Sequence, residues 1–331
     1  MKKIIRFTSI LVAILAVAFF VFFFWAKTPT LAENQYAVVE NTSQKLPAVT
    51  DSTLTVMTYN IGYLSGMNNN LAVKTSRDFY RKNEQLAVQL IAETNPDIIG
   101  FQEIDFGSNR SYNVNQHQMI AQSGYPSSAI AVNWDKNYVP FPTFPVSVHF
   151  GKMLSGQSVV SKFPILENDH IVLERVADED IFYKAFYLER IAQVVKIEHP
   201  VQDFYLINIH VEAFDAPTRR RQLAFVNQLF EEKNRELPVI LIGDFNSDPA
   251  YPDAAITAFL DDPTMGHAAI NPQTPTQADK TYPSDAPEER LDYIIYSKKD
   301  FDLIDAAILK NYGAISDHLP CWAKLKFKPR R

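Results

Sequence analysis

The chain has 331 residues, 47% hydrophobic and 12% aromatic, enough to bury the core of one large domain or two small ones. Its first 27 residues hold four bases and no acid; the remaining 28 bases against 38 acids give the rest of the chain a net charge of −10, which excludes non-specific polyanion binding through a broad basic face. Cys321 is the only cysteine, which excludes an intrachain disulfide scaffold and a cysteine-built zinc site.

From Phe7 to Ala26 the sequence reads FTSILVAILAVAFFVFFFWA, polar only at Thr8, Ser9 and the Trp25 indole. About 20 residues at 1.5 Å rise cross a hydrocarbon layer of about 30 Å. Lys2, Lys3 and Arg6 precede the segment and Trp25 closes it as an interfacial anchor. This arrangement predicts a single-pass anchor in the cell membrane, with the basic end cytoplasmic and the C-terminal bulk outside. The competing reading is a signal peptide cleaved after Ala32, which makes the product secreted. A buried core helix is excluded because no face is polar. The predicted division is an anchor over 1–27, a linker over 28–52 with a short strand at Tyr36–Glu40, and a single catalytic domain over 53–331.

Apolar runs bounded by turn residues then predict strands at Leu54–Tyr59, Asp97–Phe101, Ser158–Ser161, Ile191–Ile197, Phe204–Ile209, Pro238–Ile242, Leu291–Tyr296 and Cys321–Phe327. Helical periodicity marks Asp78–Glu93, with Leu86, Leu90 and Ile91 on one face, and Thr218–Asn234, with Leu223, Val226, Leu229 and Phe230. Helices lie between strands twice, yet several strands follow one another directly. That mix predicts layered α/β sheets with outer helices rather than a purely parallel sheet. Residues 104–156, rich in Asn, Pro and aromatics, read as loops and irregular strands walling a cleft.

Polar groups recur where strands stop: Asn60, Glu103, His210, Asp244 and Asn246 in GDFN, Asp292 in RLDYI, and Asp317-His318 in SDHLP. Carboxylates and amides from separate strands suit a hard divalent cation. There is no HExxH motif, so a protease-type zinc site has no support. Taken singly, GDFN fits a strand followed by an Asx turn, DH a surface turn and QE a helix start. The ordered set carries the weight.

That set is TYNI at Tyr59-Asn60, FQE at Gln102-Glu103, SKFPI at Ser161–Ile165, NIH at Asn208–His210, GDFN at Gly243–Asn246, LDYI at Leu291–Ile294 and SDH at Ser316–His318. It resembles the endonuclease/exonuclease/phosphatase superfamily, also called deoxyribonuclease I-like. The resemblance implies a four-layered α/β sandwich, two packed β-sheets flanked by helices, and metal-assisted attack of water on a phosphoester. It implies Mg²⁺, with Mn²⁺ as a substitute, held by Glu103 with Asn60 and Asp317. It implies that Asp244 activates the water and Asn246 holds the phosphate or nucleophile. His318 would contact the phosphate with its tautomer fixed by Asp292, and His210 would assist near the leaving group. Lys162 stands where the family more often has arginine. Arg110, Tyr112, Lys162, Lys184 and Asn208 are weaker substrate-binding candidates, and His117, His149, His170, His199 and His267 match no motif and read as surface or packing residues. The expected substrate is a phosphoester in a nucleic acid, a phospholipid headgroup or an inositol phosphate, and nothing in the sequence demands a protein partner. The alternative function is a catalytically inactive surface-binding module on the same fold.

Overall fold

The apolar runs pair into two sheets. The computed structural model describes residues 1–43, 46, 51–69, 71–270 and 276–329. One sheet is built from β1 (Ala37–Asn41), β2 (Thr53–Asn60), β3 (Ile98–Asp105), β4 (Ser127–Val139), β5 (Gly151–Ser161), β12 (Phe301–Ile308) and β13 (Cys321–Phe327), in the order β1-β4-β5-β3-β2-β13-β12. The other holds β6 (Ile165–Val172), β7 (Ile191–Ile197), β8 (Phe204–His210), β9 (Val239–Asp244), β10 (Met265–His267) and β11 (Asp292–Ser297), in the order β10-β11-β9-β8-β7-β6. The helices are α1 (Lys2–Lys27), α2 (Arg77–Thr94), α3 (Gln116–Ala121), α4 (Ile181–Phe186), α5 (Ala216–Glu236) and α6 (Thr257–Leu260).

Period-two alternation explains the layering. Val56, Ile98 and Val159 point between the sheets and meet Val195, Leu206, Ile242 and Ile294 from the second sheet. Their neighbours Met57, Ile99 and Val160 point outward under Ala87, Leu90 and Ile91 of α2. On the other outer face, Ile207, Leu241 and Ile295 lie beneath Leu223, Val226, Leu229 and Phe230 of α5. Caps fix where the helices begin: the Ser76 side chain accepts from Phe79 N–H, and Asp215 from Thr218 N–H. The two sheets flanked by helices are the four layers expected from the sequence.

Residues 104–156 correct the expectation of irregular structure. They contain β4, 13 residues long, and the first six residues of the 11-residue β5, paired antiparallel with two register shifts. Buried polar side chains hid the strand pattern. Asn133, Asp135, Ser155 and Gln157 all lie inside. Asp135 is satisfied from the N-terminal stretch, by Thr30 N–H and hydroxyl, Leu31 N–H and the Tyr36 hydroxyl. The stretch read as a linker therefore carries an edge strand, β1, paired with β4.

Two features yield measurable consequences. Gly243 has φ +140°, and an added Cβ would stand 2.0 Å from the Ile209 carbonyl oxygen of the adjacent strand. Gly243→Ala is expected to cost roughly 1–3 kcal/mol in overpacking and a further ~1–3 kcal/mol in backbone strain, read as a lowered denaturation midpoint. His117 is buried against Phe106, and burial lowers its pKa from 6.5 to about 4. The folded state thus refuses a proton that the unfolded chain accepts below pH 6.5. Stability is full above that value and falls as pH drops toward about 4, by on the order of 3 kcal/mol at 1.36 kcal/mol per unit. Chemical denaturation of His117→Phe should show a flatter loss between those limits than the parent chain. An equal slope would exclude His117 as the sensor.

Candidate active site

Strand register assembles the site. His210, Asp244 and Asp292 are paired neighbours at the ends of β8, β9 and β11, one strand spacing apart. From the facing sheet, Asn60 ends β2 and Glu103 sits on β3, where a register shift turns it to φ +51°. A left-handed glutamate is a strained conformation, kept where the surroundings over-determine it.

Asn60 stitches the two sheets together. Its amide Nδ2 donates to Asp244 Oδ2 at 3.0 Å and to Glu103 Oε1 at 3.4 Å, and its Oδ1 accepts from Gly62 N–H. Asp244 Oδ1 accepts from the backbone of Asn246, whose side chain donates to the Val211 carbonyl. Burial, reinforced by Asp292, pushes the Asp244 carboxyl up to about 7.

His318 Nδ1 lies 2.9 Å from Asp292 Oδ2, and its Nε2 faces Asp244 Oδ2 at 3.7 Å. Burial alone would lower its pKa, but Asp292 and Asp244 outweigh it and hold it well above the ordinary imidazole range. Both carboxylates favour the protonated ring, whose Nε2–H would then face the site. The Thr281 hydroxyl accepts from Leu291 and Asp292 N–H, fixing the start of β11. His210 is the opposite case: burial, then the charges of Arg190 and His318, lower its pKa well below the ordinary value. Arg190 Nη1 donates to His210 Nε2 at 2.7 Å, so the ring is neutral and its 3.6 Å approach to Asp244 is not an ion pair.

Asn69 was not picked out from sequence. Its Nδ2 donates to Glu103 Oε2 at 2.9 Å and lies 3.3 Å from Asp317 Oδ2, so one amide bridges two carboxylates. Burial, then Asp317, raises the Glu103 pKa. Two acids held this close and bridged only by neutral amides, Asn69 between them and Asn60 beside Glu103, have the chemistry of a hard-cation site. Among the described residues, Asp244, Asp292 and His318 also bring ligand atoms within 4.8 Å of one another. His318 Nδ1 is already engaged by Asp292, so Glu103 with Asp317 fits a cation better. Arg190 was also not picked out; it is buried and further bonded to Tyr187 and Glu212. Neither residue carries a local sequence signal, since both act through contacts made only in the fold.

The weaker candidates separate. Asn208 lies buried between the sheets, accepting from Gln102 and donating to the Phe101 carbonyl, so its polar atoms already have partners within the protein. Lys162 is a correction. It bonds the Asn95 carbonyl and Asp97 at the start of β3, roughly 16 Å of strand from Glu103. Arg110 is buried against Asp105. It lines an open cavity of about 140 Å³ with Tyr63, Asn69, Lys74, Tyr112 and His149. Tyr112 donates to the Thr75 carbonyl, and Lys184 to the Ala177 carbonyl.

Comparison with curated proteins gave no match. Among solved structures, an endonuclease/exonuclease/phosphatase from Beutenbergia cavernae DSM 12333 aligns with TM-score 0.60 and 19% identity, covering 83% of this chain and 72% of that one. The human Nocturnin catalytic domain with bound sulfate gives 0.58 and 17%, covering 85% and 97%. The mannosyl-6-phosphatase Bt3783 of Bacteroides thetaiotaomicron VPI-5482 gives 0.57 and 19%, covering 83% and 100%. At these identities the likeness is one of fold. The model of the Endonuclease/Exonuclease/phosphatase family matches residues 57–318, a span that runs from β2 to the His318 imidazole, and the chain belongs to that family.

Proposed function

We propose that this protein is a membrane-anchored, divalent-metal-dependent phosphoester hydrolase with its catalytic domain outside the cytoplasm. The observation that carries the reading is His318, held by Asp292, facing a buried Asp244 at 3.7 Å, beside Glu103 and Asp317.

Glu103, with Asp317 and Asn60, would hold Mg²⁺ or Mn²⁺, which when bound neutralises charge on the phosphoryl oxygens. Protonated His318 presents Nε2–H to a phosphate oxygen, where negative charge grows as water adds. Asp244, oriented by Asn60 Nδ2 and Asn246 N–H, accepts the water's proton. Its carboxyl near neutrality suits that task. Neutral His210, fixed by Arg190, lines the same space with Nε2 3.6 Å from Asp244.

Anchoring rests on α1. Its apolar window has mean hydropathy 2.8 and only 6% of it is buried. Its last turns pack on the domain through Phe23 and Ala26, against Phe186 and Tyr138.

Hydrolysis of bis-p-nitrophenyl phosphate by the full chain in detergent tests the function. Turnover should require Mg²⁺ or Mn²⁺ and vanish with EDTA. Absence of turnover on any phosphoester with either metal would favour a binding module instead.

A further inference from the structure

Two carboxamides reach the Glu103 carboxylate, and they are held differently. Asn60 is fully buried and spent at both ends: its Nδ2 donates to Asp244 and Glu103, and its Oδ1 accepts from Gly62 N–H. Turning it would break all three bonds and the link between the sheets. Asn69 is half-buried and uses one end only. Its Nδ2 lies 2.9 Å from Glu103 Oε2 and 3.3 and 3.4 Å from Asp317 Oδ2 and Oδ1, while no group among the described residues donates to its Oδ1.

Chemistry fixes which end of Asn69 faces the acids. A carboxamide oxygen set between two carboxylates would add a third negative pole, so only the NH₂ end is tolerated there. That donor stands where positive charge is wanted and serves as its neutral substitute. A divalent ion and N–H donors compete for the same carboxylate oxygens, so an arriving ion displaces the NH₂ end. Rotation about the Cβ–Cγ bond exchanges the two ends and presents Oδ1, the kind of oxygen that hard cations accept from asparagine.

The fold keeps Asn69 in reach and leaves its side chain room to turn. Its loop is docked on the segment that carries Asp317: Gly66 N–H donates to the Ile315 carbonyl, and Gly66 pairs with Ser316 in an isolated parallel bridge. The Ser284 hydroxyl contacts both the Ser316 carbonyl and the Met67 sulfur. The approach is close enough to require glycine at 66, where φ is +57° and an added Cβ would stand 2.8 Å from the Ala314 carbonyl oxygen. Asn68 N–H donates to the Ser65 carbonyl and Leu71 N–H to the Asn68 carbonyl, so the backbone is tied on both sides of Asn69. The carboxamide itself is not packed in: Asn69 lines the open cavity of about 140 Å³ with Asn68, Leu71 and Lys74. A one-bond rotation there needs no movement of the loop.

We infer that Asn69 is a ligand of the divalent cation, its Oδ1 joining Glu103 and Asp317, and that its Nδ2 holds the same two acids together when no ion is bound. The inference rests on the hydrolase reading for the presence of a cation and adds the residue that lets the site exist without one. Stripped of Asn69, the metal-free site would keep two close carboxylates and only the 3.4 Å bond from Asn60 to Glu103. One side chain thereby serves both states of the site.

The test titrates the full chain in detergent with Mg²⁺ or Mn²⁺ by calorimetry, with no substrate present. Asn69→Ala should weaken binding about 10–100-fold, and Asn69→Asp, which keeps an oxygen and adds a charge, should bind at least as tightly as the parent chain. In EDTA both variants should melt below the parent chain, since each loses the donor between Glu103 and Asp317. Unweakened binding by Asn69→Ala would overturn the inference, because the amide would then only compete with the ion. Contact is read separately. With Mn²⁺ bound and every asparagine carrying ¹³C at the side-chain carbonyl, electron–nuclear double resonance should show a strong ¹³C coupling that Asn69→Asp lacks. A spectrum unchanged in Asn69→Asp would place Asn69 outside the ligands and overturn the inference as well. A parent chain that binds neither metal sinks the cation site and the role of Asn69 with it. A parent chain that meets the binding and resonance expectations yet cleaves no phosphoester refutes the hydrolase reading alone, and Asn69 remains a ligand.

Discussion

His318→Ala is expected to lower kcat/KM for bis-p-nitrophenyl phosphate by about 10²–10⁴-fold, the range for losing a positioned acid–base group. The loss should fall mainly on kcat, because the charge that His318 stabilises develops as water attacks. Asp292→Asn should cost about 10–100-fold, since the ring stays in place but loses the anion that keeps it protonated. The sign follows from the pairing. With Asp292 neutral, the His318 pKa drops, so the variant should lose activity at lower pH than the parent chain does. An unchanged pH profile in Asp292→Asn would show that the pair does not set the histidine's charge.

Glu103→Gln is expected to abolish the response to divalent metal. At 100 times Kd, Mg²⁺ should stabilise the parent chain by about 2.7 kcal/mol, a rise in Tm of roughly 5–10 °C for a domain of this size. The variant should show no such shift and should lose about 10³-fold or more in activity, as several kcal/mol of charge stabilisation disappear. Neutralising Glu103 also removes its repulsion with Asp317, so the metal-free variant should be at least as stable as the metal-free parent chain. That outcome separates lost metal binding from lost folding. A full metal-induced shift in Glu103→Gln would remove Glu103 from the ligand set.

The legible part of the fold is the part whose strands are apolar throughout. Leu54–Tyr59 and Phe204–Ile209 lie inside two packed sheets and read as uninterrupted hydrophobic runs that stop at Asn60 and His210. β4 and the first part of β5 did not read this way, because their buried positions carry Asn133, Asp135 and Gln157. The acceptors of Asp135 are satisfied by residues about 100 positions earlier, a pairing invisible to any local window. β12 escaped for another reason. It is an edge strand whose Asp302, Leu303, Ile304 and Asp305 are all exposed, so no buried face imposes a pattern. Within the site, Asn60, Glu103, Asp244, Asp292 and His318 stand at strand ends and were visible as polar stops, and the fold brings them together. Asn69 and Arg190 orient those groups from loops and a neighbouring strand start, and their meaning exists only in three dimensions. Lys162 shows the opposite error: a residue inside a recognisable motif whose side chain serves the far end of the sheet.

The left-handed backbone at Glu103 has an energetic consequence. A glycine there would adopt φ +51° without penalty, relaxing on the order of 1–3 kcal/mol while deleting the carboxylate. The stability given up at this one residue is what holds a carboxylate beside Asn60, Asn69 and Asp317.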